Sequence, residues 1–328
     1  MHYFSFREGN FPEMANSVKA GKIEVKAYAK INLVLDVIGR RADGYHEIEM
    51  ILQSVDLYDQ LQFEPASSLS LAMTGQRLPL DDRNIIMKAA RKLQTESGFK
   101  AGARIFLRKR IPVGAGLGGG SADAAATLIG LNQLWGLHLP LATLEKIALS
   151  LGADVPFCLR GGTVLAKGIG EQLVDLPPLP SLPVFLAKPS FNVSTAHIYK
   201  NLDLSVVARH PEVEQVAALI QQGTYHRIPE HWGNLLEEVT LKLYPELKTV
   251  LDWIGGLGLP VRMSGSGPTL FIFGADGDRV AAALATVEAS LRRRGWWTYH
   301  GFFHGRGIEV IEEEKRGNVY GKRTLGSD

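Results

Sequence analysis

The densest chemical signal in the chain is Pro112-Val113-Gly114-Ala115-Gly116-Leu117-Gly118-Gly119-Gly120-Ser121-Ala122, in which five of eleven residues are glycine. A backbone without Cβ atoms can wrap its N–H groups around phosphate oxygens, and a helix starting there adds the positive end of its dipole. The plainer alternative is a flexible linker, which rarely stands directly between a strand and an Ala-rich helix. Ser264-Gly265-Ser266-Gly267 is a second donor-rich turn before a predicted strand. Asp154, in Gly152-Ala153-Asp154-Val155-Pro156, reads equally well as a helix N-cap and as an acid–base group. Lys30 and Asn32 lie two apart on a predicted strand, so they share a face at roughly 6–7 Å. On spacing alone that is a solvated polar face. Tyr45-His46 after the Asp43-Gly44 turn reads as edge packing, and His138, His226 and His231 share no metal-ligand spacing.

The glycine run contains a formal Gly-x-Gly-x-x-Gly match (Gly114, Gly116, Gly119), but a dinucleotide fold is disfavoured. The preceding strand ends in Arg108-Lys109-Arg110 rather than an apolar run, and the next acidic residue after Asp123 is Glu145, inside a predicted helix. No Gly-Lys-Ser/Thr closes the loop as in a Walker A motif, and the His-Arg-Asp and Asp-Phe-Gly signatures of protein kinases are absent. A phosphate cradle of another kind remains.

The elements that must hold these residues follow from periodicity. Ile23, Val25, Ala27, Ala29, Ile31, Leu33, Leu35 and Val37 alternate with Lys26, Tyr28, Lys30, Asn32 and Asp36, which predicts a strand with one apolar and one polar face. A return strand is expected over 48–63, a helix over 84–95, a strand over 103–110, and helices over 121–135 and 141–151. Four prolines between Leu176 and Pro183 mark a linker. Beyond it the pattern predicts strands over 184–188, 269–273 and 297–303, and helices over 213–222, 247–254 and 279–294. Strands and helices mix without a strict βαβ rhythm, which predicts an α+β fold. The expected division is a flexible extension (1–21, with Met14 as an alternative start), an N-terminal domain (22–180), a C-terminal domain (181–311) and a disordered tail (312–328).

Composition excludes several classes. A length of 328 residues suits two domains, and 45% hydrophobic with 21% charged residues is a globular balance. A net charge of +2 gives no general attraction to nucleic acid, and the cluster Arg292-Arg293-Arg294 suits the negative end of a helix dipole. A lone cysteine, Cys158, rules out an intrachain disulfide and a Cys-rich zinc site; it reads as a small buried residue. No apolar run is long enough to span a bilayer, and the first residues, with Glu8, Pro12 and Glu13, lack a secretory layout. A cytoplasmic protein is expected.

The glycine loop resembles the second motif of the GHMP kinases (galactokinase, homoserine kinase, mevalonate kinase and relatives), Pro-x-Gly-x-Gly-Leu-Gly-Ser-Ser-Ser/Ala, with Gly119 and Gly120 in place of the serines. Ala29-Lys30-Ile31-Asn32-Leu33 running into Arg41-Ala42-Asp43-Gly44-Tyr45-His46, and Met263-Ser264-Gly265-Ser266-Gly267-Pro268-Thr269 near the end, agree in family order. The Gly-Gly-Gly-Ser variant is typical of the branch that phosphorylates a cytidine diphosphate-linked methylerythritol in non-mevalonate isoprenoid synthesis. The resemblance implies an N-terminal domain like ribosomal protein S5 domain 2, a ferredoxin-like C-terminal domain and a site in the cleft between them. It implies ATP, with Mg²⁺, held by Pro112 to Ala122, and Ser121 as the candidate Mg²⁺ ligand in the absence of a protein-only metal site. It makes Lys30 and Asp154 catalytic and places Asn32 on the substrate. Tyr45, His46, Thr195 and Tyr199 would hold the cytosine, with Ser264, Gly265, Ser266 and Gly267 closing over phosphates and substrate. A homoserine- or mevalonate-type kinase is the nearest alternative. A non-catalytic sensor on the same fold would need no paired Lys30 and Asp154.

Overall fold

The computed structural model describes residues 21–274 and 278–311; the expected extension before Gly21 and the expected tail lie outside them. The first unit runs β1 (Ile23–Arg40), β2 (His46–Ala66), β3 (Ser70–Thr74), α1 (Ile85–Ser97), β4 (Gly102–Arg108), α2 (Gly119–Leu134), α3 (Leu141–Leu149), α4 (Val155–Arg160), β5 (Thr163–Lys167) and β6 (Gln172–Asp175). The second runs β7 (Pro183–Lys188), α5 (Thr195–Lys200), α6 (Val213–Gln221), α7 (Ile228–His231), α8 (Leu236–Leu243), α9 (Pro245–Gly256), β8 (Val261–Met263), β9 (Leu270–Phe273), α10 (Asp278–Arg293) and β10 (Trp297–His304). A last strand, β11 (Ile308–Ile311), follows. The mixture is α+β, as the sequence pattern predicts.

The long antiparallel pair β1–β2 is the spine of the first unit. Along its length β2 also takes β5, the end of β10, and β4 as partners. Helix α2 packs against it. Its alanines Ala122, Ala124, Ala125 and Ala126 are all buried, and Gly130 lies so close to Phe63 that a Cβ there would sit 2.3 Å from the ring. A helix apolar all round belongs in an interior, and small side chains let its backbone approach the sheet.

In the second unit the order β10-β7-β9-β8, antiparallel throughout, is that of a ferredoxin-like sheet. One of its faces buries Phe185, Ala187 and Ile272 against α9 and α10. The other buries Val184, Leu186, Phe271 and Phe273 in a core shared with Ala29, Ile31 and Leu33 of β1. The last strand departs from the expected boundary at residue 311: β11 pairs with β1, in the first sheet. No helix among the described residues is long and apolar enough to cross a membrane.

The simple alternation read for β1 needs correction. Val25 and Ala27 pack into the core around α1 and α2, whereas Ala29, Ile31 and Leu33 pack into the core shared with the second sheet, and Leu35 and Val37 return to the first. Bulges accompany both switches: β2 carries two extra residues, Asp56 and Leu57, between the Tyr28–Tyr58 and Ala29–Val55 pairs, and β1 carries one, Leu33, between Asn32–Leu52 and Val34–Ile51. The odd positions therefore do not share one face. Only the stretch between the bulges is inverted, and that inversion carries Lys30 and Asn32 to the α2 side.

Candidate active site

Lys30 and Asn32 are 4% and 2% exposed, so they are buried groups and not the solvated face that spacing suggests. Burying an ammonium is costly without partners. Lys30 Nζ donates to Asn32 Oδ1 at 2.8 Å and lies 3.5 Å from Asp154 Oδ2. Asp154 stands at the N-cap position of α4, but its side chain makes no capping hydrogen bond. The carboxylate turns to the lysine and leaves the helix end without a side-chain cap.

The glycine loop closes over this pair. Lys30 N donates to Leu117 O at 3.0 Å, stapling the loop to β1. Gly118 has φ 68° and caps α2; a Cβ there would fall 2.8 Å from Lys30 Cγ. Gly116, at φ 75°, lies so close to the second turn that its Cβ would be 2.2 Å from Ser264 O. Only glycine satisfies both the left-handed backbone and the close approach. With no side-chain cap at Gly118, the first-turn N–H groups of α2 at Gly119, Gly120 and Ser121 stand at the cavity wall, a ready anion site.

Beneath the loop lies a buried charge cluster that sequence reading missed. Lys109 Nζ binds Asp59 Oδ2 at 2.5 Å and Asp123 Oδ2 at 2.6 Å. Asp59 Oδ1 also accepts from Arg110 N and Ile111 N at 2.6 and 2.9 Å, fixing the exit of β4 into the loop. Burial acts to lower the lysine's pKa, but the two carboxylates outweigh it and raise it. Burial raises the Asp123 carboxyl well above its usual range, and its Oδ1 has no hydrogen-bond partner.

One cavity of about 1540 Å³ joins these parts, lined by Lys30, Asn32, Asp154, Gly265, Ser266 and residues 112–121. At its other end His46 and Tyr199 face each other with ring centroids 5.0 Å apart at 34°. Burial first, and Arg40 second, lower the His46 pKa, which favours the neutral imidazole. Burial raises the Tyr199 phenol, with Asp154 adding to the shift. Thr195 Oγ1 and Ser266 Oγ share a 2.8 Å hydrogen bond, and Tyr45 stands at the mouth, 60% exposed. Three expected contacts are placed otherwise. Ala122 is core, Ser264 is fully buried between Asn32 N and Gly116 O, and Gly267 packs on Met263.

The cavity also has a wall the sequence reading did not anticipate: Leu78, Pro79, Arg83, Asn84 and Ile85, between β3 and α1. Asn84 caps α1 by accepting from Ile86 N at 3.0 Å and donates to Pro79 O at 2.7 Å. The available signal was that cap, just before an apolar helical run. Cys158 is buried, as expected, and burial raises its thiol pKa. Among the described residues no group of three or more His, Cys, Asp or Glu could hold a metal ion.

A two-unit α+β fold with a glycine loop over a buried lysine and its half-buried aspartate partner defines a class of phosphotransferases, and comparison with known proteins agrees. Residues 84–162 match the GHMP kinases N terminal domain and residues 202–293 the GHMP kinases C terminal domain, and the chain belongs to this family of ATP-dependent small-molecule kinases. Its relatives include 4-diphosphocytidyl-2-C-methyl-D-erythritol kinase of Pelotomaculum thermopropionicum, 47% identical over 259 residues that cover 77% of this chain and 90% of the relative. The enzyme of that name from Bacillus mycoides is 45% identical over 253 residues, 76% and 87% of the two chains. A crystal structure of 4-(cytidine 5'-diphospho)-2C-methyl-D-erythritol kinase aligns with TM-score 0.70 at 36% identity, over 86% of this chain and 99% of that one. Homoserine kinase from Cytophaga hutchinsonii aligns with TM-score 0.71 over 93% of this chain and all of that one, but at 21% identity it shares the fold alone.

Proposed function

We propose that the chain transfers the γ-phosphoryl group of ATP to the 2-hydroxyl of 4-diphosphocytidyl-2-C-methyl-D-erythritol, a step of non-mevalonate isoprenoid precursor synthesis. The observation that carries the reading is the join in one cavity of the Lys30–Asn32–Asp154 cluster with the His46–Tyr199 pair. One end suits phosphoryl transfer and the other suits a flat heterocycle.

Phosphoryl transfer depends mainly on alignment and on charge stabilisation around the transferred group. The loop N–H groups and the α2 N-terminus hold the phosphates. The Lys30 ammonium faces the developing charge, and Asn32 fixes its direction. The Asp154 carboxylate accepts the hydroxyl proton as the new P–O bond forms and the bond to the ADP leaving oxygen breaks. A Mg²⁺ ion bound with ATP would supply neutralisation of phosphate charge. Ser121 and the unpartnered Oδ1 of Asp123, both on the cavity wall, are the hard oxygen donors that would hold such an ion. Tyr199 and His46 grip cytosine by stacking and hydrogen bonding, with Tyr45 and Thr195 at its edges.

The test is ADP release over a panel of alcohols with and without the cytidine moiety. The cytidylated alcohol is expected to dominate, with free methylerythritol, its 4-phosphate, homoserine and mevalonate all very poor, because contacts remote from the hydroxyl align it. A uridine analogue should lose roughly one to two orders of magnitude in kcat/KM, and His46→Ala should shrink that preference. Equal turnover of homoserine or mevalonate would leave the family standing and overturn the substrate.

A further inference from the structure

Helix α8 reaches the cavity through Leu236 alone, yet it holds the turn that faces Lys30 and Asn32. Asn234, just before it, and Glu237 and Thr240 within it are spaced three apart and share one face. All three bond to the backbone of the second glycine turn. Asn234 Nδ2 donates to Met263 O at 2.8 Å and to Gly265 O at 2.7 Å. Glu237 Oε1 accepts from Met263 N at 2.7 Å, and Thr240 Oγ1 donates to Ser266 O at 3.2 Å. Asn234 is 6% exposed and Thr240 fully buried, so water does not easily replace these partners.

The other side of the same turn meets the reacting groups. Ser264 Oγ accepts from Asn32 N at 3.3 Å and donates to Gly116 O at 2.9 Å. A Cβ on Gly265 would stand 3.2 Å from Asn32 Oδ1 and 3.6 Å from Lys30 Nζ. The frame closes on β1, where Leu35 N donates to Gly233 O and Leu235 N donates to Leu35 O, both at 2.9 Å. We propose that Asn234, Glu237 and Thr240 are positioning residues that set the turn 263–266 against Asn32, Lys30 and the glycine loop. They thereby control phosphoryl transfer without touching substrate. The inference rests on the catalytic placement of Lys30 and Asn32.

A simpler role for Asn234 is to cap α8, since its Oδ1 accepts from Leu236 N at 3.0 Å. Asn234→Asp separates the two roles. It keeps that acceptor and replaces the donor with an oxygen facing two carbonyl oxygens. The variant should fold, with kcat at least about tenfold below wild type and KM for ATP within about threefold. Its kcat relative to wild type should climb as pH falls from 8 to 6, because a protonated carboxyl donates again to one carbonyl. Glu237 and Arg262 are present in both proteins, so their effects cancel in the ratio. Thr240→Val should lose less, and Thr240→Ser should restore it. Amide exchange is the substrate-independent arm: residues 263–267 should exchange at least about tenfold faster in Asn234→Asp while the amides of α8 do not change. Wild-type kcat with a pH-independent ratio, or a kcat loss matched by loss of folded protein, would reduce Asn234 to a cap. A wild type that turns over no cytidylated alcohol would sink the functional reading alone, and the clamp would then be decided by the exchange rates.

Discussion

Asp154 stands at the N-cap position of α4, yet its carboxylate reaches back 3.5 Å to the ammonium of Lys30, on the stretch of β1 between two bulges. Neither residue is where its local pattern would put it. The helix gives up its cap and the strand turns over its pleat, and both departures serve one ion pair in the cleft.

That pair yields the first prediction. Asp154→Asn is nearly isosteric but cannot take a proton as a carboxylate does, and Lys30→Met removes the charge while keeping the stem. Each should lower kcat by at least about 10² with binding of CDP changed only modestly, measured by single-turnover kinetics beside calorimetry. Near wild-type turnover in both would reduce the pair to a structural contact.

The loop makes a positional prediction. Gly118→Val puts a branched side chain at φ 68°, where even the first carbon meets Lys30 Cγ at 2.8 Å, so ATP binding should collapse. Gly120→Ala is the control, since its Cβ meets nothing nearer than 3.9 Å, and it should retain ATP affinity within a few fold. Calorimetric titration of both variants checks the contrast. Equal losses would mean that the loop tolerates no side chain anywhere, and the argument from close approach would fail.

Glu237 gives a stability signature with pH. Burial pushes its carboxyl up to about 7 from 4.5, against the opposing pull of Arg262 and the Met263 N–H. A folded pKa above the unfolded one means its contribution is full below about 4.5 and is lost as pH rises through about 7. Glu237→Gln removes this term, so the variant should gain on wild type between those values by up to about 3 kcal/mol. Urea denaturation at pH 4.5, 6 and 8 reads it, and a difference flat with pH would contradict the raised value.

How far the sequence carried the reading differs from element to element. Helices such as α1, α2 and α10 were legible because their apolar spacing and end signals are local. The glycine loop was legible because close backbone approach leaves a compositional mark. The bulges between β1 and β2 were not, since they leave the run of alternating Ala, Ile and Leu intact while changing which core each side chain enters. Asp59, Lys109 and Asp123 escaped notice for a related reason. Each looks like an ordinary surface charge until folding brings positions from β2, the end of β4 and α2 together. Asn234 gave no signal of its own, because its partners are main-chain carbonyls on a distant turn.

Strand β10 has a consequence for traffic through the cleft. It pairs with β7 along the ferredoxin-like sheet, and its last residues, Phe303 and His304, pair with Val55 and Ser54 of β2 in the other sheet. Gln53 Nε2 adds a bond to His304 O at 3.0 Å. A hinge that swung the two units apart would have to strip this strand from one sheet or the other, along with the apolar core between them. Main-chain pairing thus ties the two jaws of the cleft together, and the parts of the cavity lining that lie outside both sheets are the β3–α1 connection and the segment around Asp203.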